Sequence, residues 1–205
     1  MLYTHSVAIQ TVSDTRELIL DATDRLMQRY GFRKMTMDDI AREAGISKRT
    51  IYTHFPSKEE VGLSSIARVV AFAQRQMRAA AASEGPRSDR LMQMLVVRVM
   101  ARVESVREYR ESLDDLFEVV RPAYMLRRQA SFEIEQSLLA ALIREGVSVG
   151  DFVSVNPEKD AEAMLRATHA YLPYSLSVAE LGDSEAIRAG VVAIAELMIK
   201  GLQKK

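Results

Sequence analysis

Between residues 36 and 58 the chain carries a run of hydroxyl, cationic and aromatic side chains: Thr36, Ser47, Lys48, Arg49, Thr50, Tyr52, Thr53, His54 and Lys58. What they share is the ability to hydrogen-bond to anions and to base edges. Lys48, Arg49 and Thr50 stand at the start of a short helical stretch, with Thr53 one turn later. Side chains at that end of a helix laid in a duplex major groove reach the bases. Arg49 could take O6 and N7 of a guanine together, and Thr50 or Thr53 could meet a thymine methyl. Thr36, Tyr52, His54 and Lys58 are placed to grip phosphates, contacts that set affinity and register rather than sequence. Plainer uses compete with these. Tyr52 could pack between helices, His54 could end its helix, Lys48 could be a solvated charge, and Thr36 is an N-cap candidate in either case.

Other chemistry finds little support. There are three histidines (His5, His54, His169) and no cysteine, which excludes disulfides, thiol catalysis and cysteine zinc sites. No Gly-rich phosphate loop is present. The pairs Asp38-Asp39 and Asp114-Asp115 are adjacent in sequence, and adjacent residues do not share a helix face. No catalytic residue, cofactor or metal is therefore expected. Lys plus Arg and Asp plus Glu are both 28, so any affinity for a polyanion must come from a local patch. Residues 1–60 hold nine basic and nine acidic side chains, but the basic ones gather at 25–34 and 42–58.

The elements that must position these residues read as helices throughout. Gly 9 and Pro 5 in 205 residues leave few breaks, and the rest is rich in helix formers. Asp14 with Glu17 has capping-box spacing, and Leu18, Ala22, Leu26 and Tyr30 give one apolar face up to Gly31. Residues 1–13 read as a mobile arm, without the basic and apolar regions of a secretory signal. Thr36 caps a short helix that Gly45 ends. Ser47 caps another that Phe55-Pro56 ends, because the residue before proline is pushed out of the α region. Two short helices joined by a turn that opens with Gly are the arithmetic of a helix-turn-helix. Ser57 and Glu60 cap a long helix after it.

Tyr30-Gly31-Phe32, Thr36, Asp39-Ile40-Ala41, Ala44-Gly45-Ile46-Ser47, Thr50-Ile51-Tyr52, His54-Phe55 and Lys58-Glu59 together resemble the TetR family of bacterial transcriptional regulators. The resemblance covers about 45 residues, and as a combined pattern it is specific. It implies an all-α fold with a three-helix DNA-binding domain over 14–60 and a larger helical effector-binding and dimerisation domain over 61–205. It also supports the phosphate roles of Thr36, Tyr52, His54 and Lys58. Arg49 stands where the family often has Gly, so no known operator sequence carries over.

The remaining chain predicts helices over about 88–105, 107–120, 123–145, 157–180 and 184–203. Arg121-Pro122 should break one, Pro173 should kink another, and 146–156 should be a loop. Ile187, Val191, Ile194, Ala195, Met198 and Leu202 share one face of the last helix. That face suits either a core or, on the family resemblance, a homodimer bundle made with the 157–180 helix. Met100, Phe117, Tyr124, Phe132, Thr168, His169 and Tyr171 could surround a small, largely apolar effector, although such a set is more often core. Arg121 and Arg128 could pair with an acidic ligand, although solvated charge is the ordinary use. The expectation is a cytoplasmic, ligand-responsive regulator, of the repressor type on family grounds, that binds a palindromic duplex operator as a dimer and has no membrane partner. The rival is a helical small-molecule binding or interaction protein that has lost DNA affinity.

Overall fold

The computed structural model describes the backbone of residues 2–203 and the side chains of residues 14–203. Nine α-helices make up most of it: α1 (Leu2–Tyr30), α2 (Met37–Ala44), α3 (Lys48–His54), α4 (Lys58–Ala81), α5 (Arg87–Val106), α6 (Leu113–Val149), α7 (Pro157–Ala167), α8 (Val178–Leu181) and α9 (Ser184–Leu202). Among the described residues extended pairing is limited to one antiparallel bridge, Phe152 to Gln203. The fold is all-α. No helix of the described residues is long and apolar enough to cross a membrane.

The chain divides into two compact units, Met1–Arg68 with Glu111–Tyr124, and Val69–Arg110 with Met125–Lys205. The division expected after residue 60 thus falls inside α4, and Glu111–Tyr124 joins the first unit. The reason is packing. Leu113 and Leu116 are buried, Ser112 Oγ donates to the Met27 carbonyl at 3.0 Å, and Arg33 pairs with Asp115 and Glu118. Gly62 makes the approach possible, since a Cβ there would lie 2.8 Å from both the Phe32 ring and Leu116 Cδ1.

Several boundaries differ from the expected ones. The first helix begins at Leu2, not Asp14, so Asp14 lies inside it and the Asp14–Glu17 box is not the start. No Gly or Pro precedes Asp14 to stop propagation. The backbone of the arm expected over residues 2–13 therefore continues α1, and its side chains lie outside the described residues. Pro122 does not break α6. Its ring forfeits one bond to the Glu118 carbonyl, but Pro122 is exposed and water can take that carbonyl. Buried Leu116 and Val120 before it, and Leu139, Leu142 and Ile143 after it, give both halves an apolar face.

The helix expected over 157–180 is not kinked but divided. Its first part, α7, stops at Ala167, and short 3₁₀ turns follow at His169–Tyr171 and Pro173–Ser175 before α8. Leu172 is extended (φ −77°, ψ 145°), as a residue ahead of proline prefers. Conversely, α6 runs on through Gly146 to Val149, and Gly150 (φ 84°) turns the chain. The Phe152 ring lies against Gly146, in space a Cβ would fill.

In the second unit α5 packs along α9. Leu91, Met94, Leu95, Ile143, Leu165 and Ile199 form its centre. The face of α9 expected to meet a second copy turns out to be largely inward. Ile187, Val191, Ala195 and Leu202 are buried in the chain's own core, while Ile194 and Met198 are half-buried. A terminal helix this apolar fills the core of its own unit first, because α5 offers a complementary face. The large apolar residue that α9 leaves exposed is Leu197, at 71%.

Candidate functional site

The α2–α3 pair is fixed by local chemistry at each end. Thr36 Oγ1 accepts from the Asp39 N–H at 3.2 Å, and the Asp39 carboxylate accepts from the Thr36 N–H at 3.0 Å. These two bonds are the capping box of α2. Hydrogen bonds from the Thr36 side chain and backbone also hold the Asp39 carboxyl below its usual range. At the other end Gly45 adopts φ 68°, its N–H reaches the Arg42 carbonyl, and the Ile46 N–H reaches the Ala41 carbonyl at 3.0 Å. That is a Schellman closure, which favours glycine at the left-handed position. Ser47 then caps α3 by accepting from the Thr50 N–H at 3.0 Å. Ile40, Ala41, Ala44, Ile51 and Phe55 are buried beneath.

Arg16 of α1, which the sequence pattern did not single out, holds the far end of α3. Its guanidinium stacks 4.3 Å above the Phe55 ring, donates to Ser64 Oγ of α4 at 2.7 Å and reaches the His54 carbonyl at 3.5 Å. It joins three helices and meets an orphan carbonyl where α3 ends. Arg68 of α4 ties back to α1 through Glu17, Asp21 and Asp24. No local periodicity signals these ties, because the partners stand 38 to 51 residues apart.

On this frame Arg49 is exposed and, among the described residues, has no hydrogen-bond or ion-pair partner. Tyr52 is 47% exposed, so it is not merely packing between helices. Thr53 is exposed, and its hydroxyl donates to the Thr50 carbonyl at 2.6 Å. The Thr50 and Ser47 hydroxyls share a hydrogen bond at 2.8 Å. His54 is half-buried. Lys48 pairs with Asp38 of α2 at 2.8 Å, and that hydrogen bond raises its pKa.

Lys58 departs from its expected phosphate role. Its Nζ lies 3.2 Å from each of the carbonyls of Phe32, Arg33 and Met35, and 5.0 Å from the centre of the Phe32 ring. An ammonium has three N–H donors, and all three are used. Lys58 therefore staples the start of α4 to the turn between α1 and α2. Lys58→Met is expected to cost about 2 kcal/mol, since hydrogen bonds from a charged donor are worth about 1.5–3 kcal/mol each when buried and these are only partly so. The thermal midpoint should fall by roughly 4–8 °C. An unchanged midpoint, with a DNA salt slope lower by about one unit, would restore the phosphate role.

Other cations of the first unit are also engaged. Arg25 and Arg29 both hold Glu43, and Arg42 holds Asp39. Exposed Lys34, in the turn before α2, has no partner among the described residues and was not among the expected contacts. The positive patch is thus small, with Arg49 and Lys34 its unpaired members.

The effector candidates do not form one group. Phe117 and Tyr124 belong to the first unit and meet edge to face at 5.6 Å. Met100, Phe132, Thr168, His169 and Tyr171 belong to the second. There Met100 is core, and Tyr171 packs on Gly190 in space a Cβ would fill. The Arg166 guanidinium lies 5.4 Å from the Phe132 ring centre. Fully buried Thr168 accepts from Arg98 Nη1 at 3.0 Å. Half-buried His169 hydrogen-bonds to Tyr174 through Nε2.

Beneath them lies a cluster that the sequence reading missed. Glu135 of α6, with its side chain 3% exposed, takes Arg98 Nε on one oxygen at 2.7 Å and Arg102 Nη2 on the other. Both arginines are buried. Among the described residues no group of three His, Cys, Asp or Glu could hold a metal ion.

Comparison with known proteins agrees with this geometry. Residues 19–63 match the family model of bacterial regulatory proteins, tetR family. An uncharacterized HTH-type transcriptional regulator of Bacillus subtilis, YerO, is 25% identical over 201 residues, covering 94% of this chain and 67% of that protein. The HTH-type regulator EthR of Mycobacterium tuberculosis is 45% identical over 58 residues, 28% of this chain and 27% of EthR. Among solved structures, a transcriptional regulator from Cytophaga hutchinsonii superposes with a TM-score of 0.74 at 20% identity, covering 92% of this chain and 98% of that one. That likeness speaks for the fold.

Proposed function

We propose that the chain is a cytoplasmic, ligand-responsive repressor of the TetR family of bacterial transcriptional regulators, whose family model residues 19–63 match. It binds a palindromic duplex operator as a homodimer and is released by a small effector held in its second unit. The observation that carries this reading is α3 itself: a helix capped at both ends, with buried Ile51 and Phe55 behind it and unpaired Arg49 in front. Arg49 and Thr53 read bases, while Thr36, Tyr52, His54 and Lys34 meet phosphates. A two-fold dimer places two such helices about 34–36 Å apart, one turn of DNA. The face of α9 around Leu197, flanked by Ile194 and Met198, offers an apolar surface to a partner copy. Both α4 and α6 contribute to both units, which makes them the elements through which an effector would act. Such coupling requires the effector to prefer one state by about 1–3 kcal/mol.

A second reading has one observation in its favour. Arg25, Arg29, Arg42, Lys48 and Lys58 are all engaged within the protein, so a helical binding protein without DNA affinity would also account for the first unit. A gel shift on the DNA upstream of the coding region separates the two. A specific complex at nanomolar protein, weakening steeply with salt, is expected. No shift at low salt on that DNA or on random duplex would sink the regulator reading and leave the second.

A further inference from the structure

Arg98 is 2% exposed, yet its guanidinium is only partly used. Nε goes to Glu135 at 2.7 Å, and Nη1 goes to Thr168 at 3.0 Å and the Leu165 carbonyl at 3.4 Å. Nη2 makes no hydrogen bond among the described residues. The two oxygens of Glu135 go to Arg98 Nε and Arg102 Nη2. Nη2 is not among the fully buried atoms left without a partner, so its N–H pair keeps contact with solvent-accessible space.

The surroundings add positive charge rather than relieve it. Half-buried Arg128 of α6 has no ion-pair partner among the described residues. His169 records the resulting field. Burial, and then the charges of Arg98, Arg128 and Arg166, hold its imidazole below the ordinary 6.5, with Glu135 alone opposing. Arg166 is balanced by Glu162, so Arg98 and Arg128 are the members with capacity to spare. Tyr174 bonds to His169, and both are half-buried, so this edge of the cluster reaches solvent. Phe132 and Met164 supply apolar surface on the adjoining turns of α6 and α7.

We infer that the second unit binds an organic anion, a carboxylate on an apolar body, where α5, α6 and the end of α7 meet, with Arg98 Nη2 and Arg128 as its charge partners and His169 at its mouth. This rests on the reading of the second unit as effector-binding and narrows the effector from an apolar molecule to an apolar acid. A carboxylate presents two oxygens in the plane that a guanidinium matches, which a neutral oxygen does not.

The test uses the purified full chain without DNA, so its result is independent of the gel shift. Thermal melts and calorimetry at constant ionic strength compare sodium octanoate with 1-octanol and sodium benzoate with benzyl alcohol, each at about 1 mM. At least one acid should bind and raise the midpoint where its alcohol does not. Arg128→Gln, which breaks no existing pair, should weaken that acid about tenfold. Arg98→Met should abolish the preference for the acid if the variant folds, and Arg128→Gln decides the matter if it does not. Equal binding of acid and alcohol, no binding of any of the four, or full affinity in Arg128→Gln would each overturn the proposal.

Discussion

Glu135→Gln is expected to lower the unfolding free energy by about 3–5 kcal/mol, the usual consequence of removing one partner from a buried ionic group. Glutamine keeps the shape and removes the charge. Two guanidiniums, each less than a tenth exposed, would lose the carboxylate they share. At this chain length the thermal midpoint should fall by roughly 10 °C. The loss should depend on pH in a defined direction. Burial alone would raise the Glu135 pKa, but Arg102 and Arg98 outweigh it and hold the carboxyl below the ordinary glutamate value. The unfolded carboxyl titrates near 4.5, so the stabilisation is complete above that pH and disappears as pH falls through the lower, folded value. Urea melts of wild type and variant should therefore differ widely at pH 7, and the difference should shrink as the pH falls below 4.5. Equal stability at pH 7 would show that the cluster holds nothing together. Replacing all three residues with apolar ones should cost far less than Glu135→Gln, because no charge is then left behind.

Arg49→Ala should act on DNA and leave stability alone. The side chain is exposed and unpaired, so its removal disturbs no contact of the folded chain. A bidentate arginine–guanine contact is worth about 1–3 kcal/mol of discrimination. With one copy per half-site, affinity for a palindromic operator should drop roughly 30- to 10⁴-fold, while binding to random duplex should fall only by the share of one charge per subunit. Binding-site selection with the variant should show relaxed preference at one position of each half-site. An unchanged preference would remove Arg49 from the base-reading role, and a melting midpoint shifted by several degrees would show that it has a structural one.

The two variants mark different limits of sequence reasoning. Arg49 was legible because its setting is local. Thr36 with Asp39, Gly45, Ser47 and the Phe55-Pro56 stop lie within about 20 residues, and each acts on a helix end through its immediate neighbours. Stop signals inside long helices were read less well. Pro122 and Gly146 looked like breaks, but a helix with an apolar face on both sides of a breaker gains more from packing than the breaker costs. Pro173 was read as a kink where the chain instead leaves the helix altogether.

By itself, then, the amino-acid sequence determined the helical class of the protein and the placing of α2 and α3, because caps, turns and apolar periodicity act over a few residues. Tertiary structure alone decided which face of α9 turns inward, since Ile187 and Val191 needed a neighbouring helix to cover them. It decided that Lys58 spends its charge on three carbonyls some 25 residues away, and that Arg16 reaches across to Ser64 to hold α3. It also brought Arg98, Arg102, Glu135 and Thr168 into one buried cluster. Such ties join residues that are distant along the chain, and an isolated charge in a sequence looks the same whether it will face water or a buried partner.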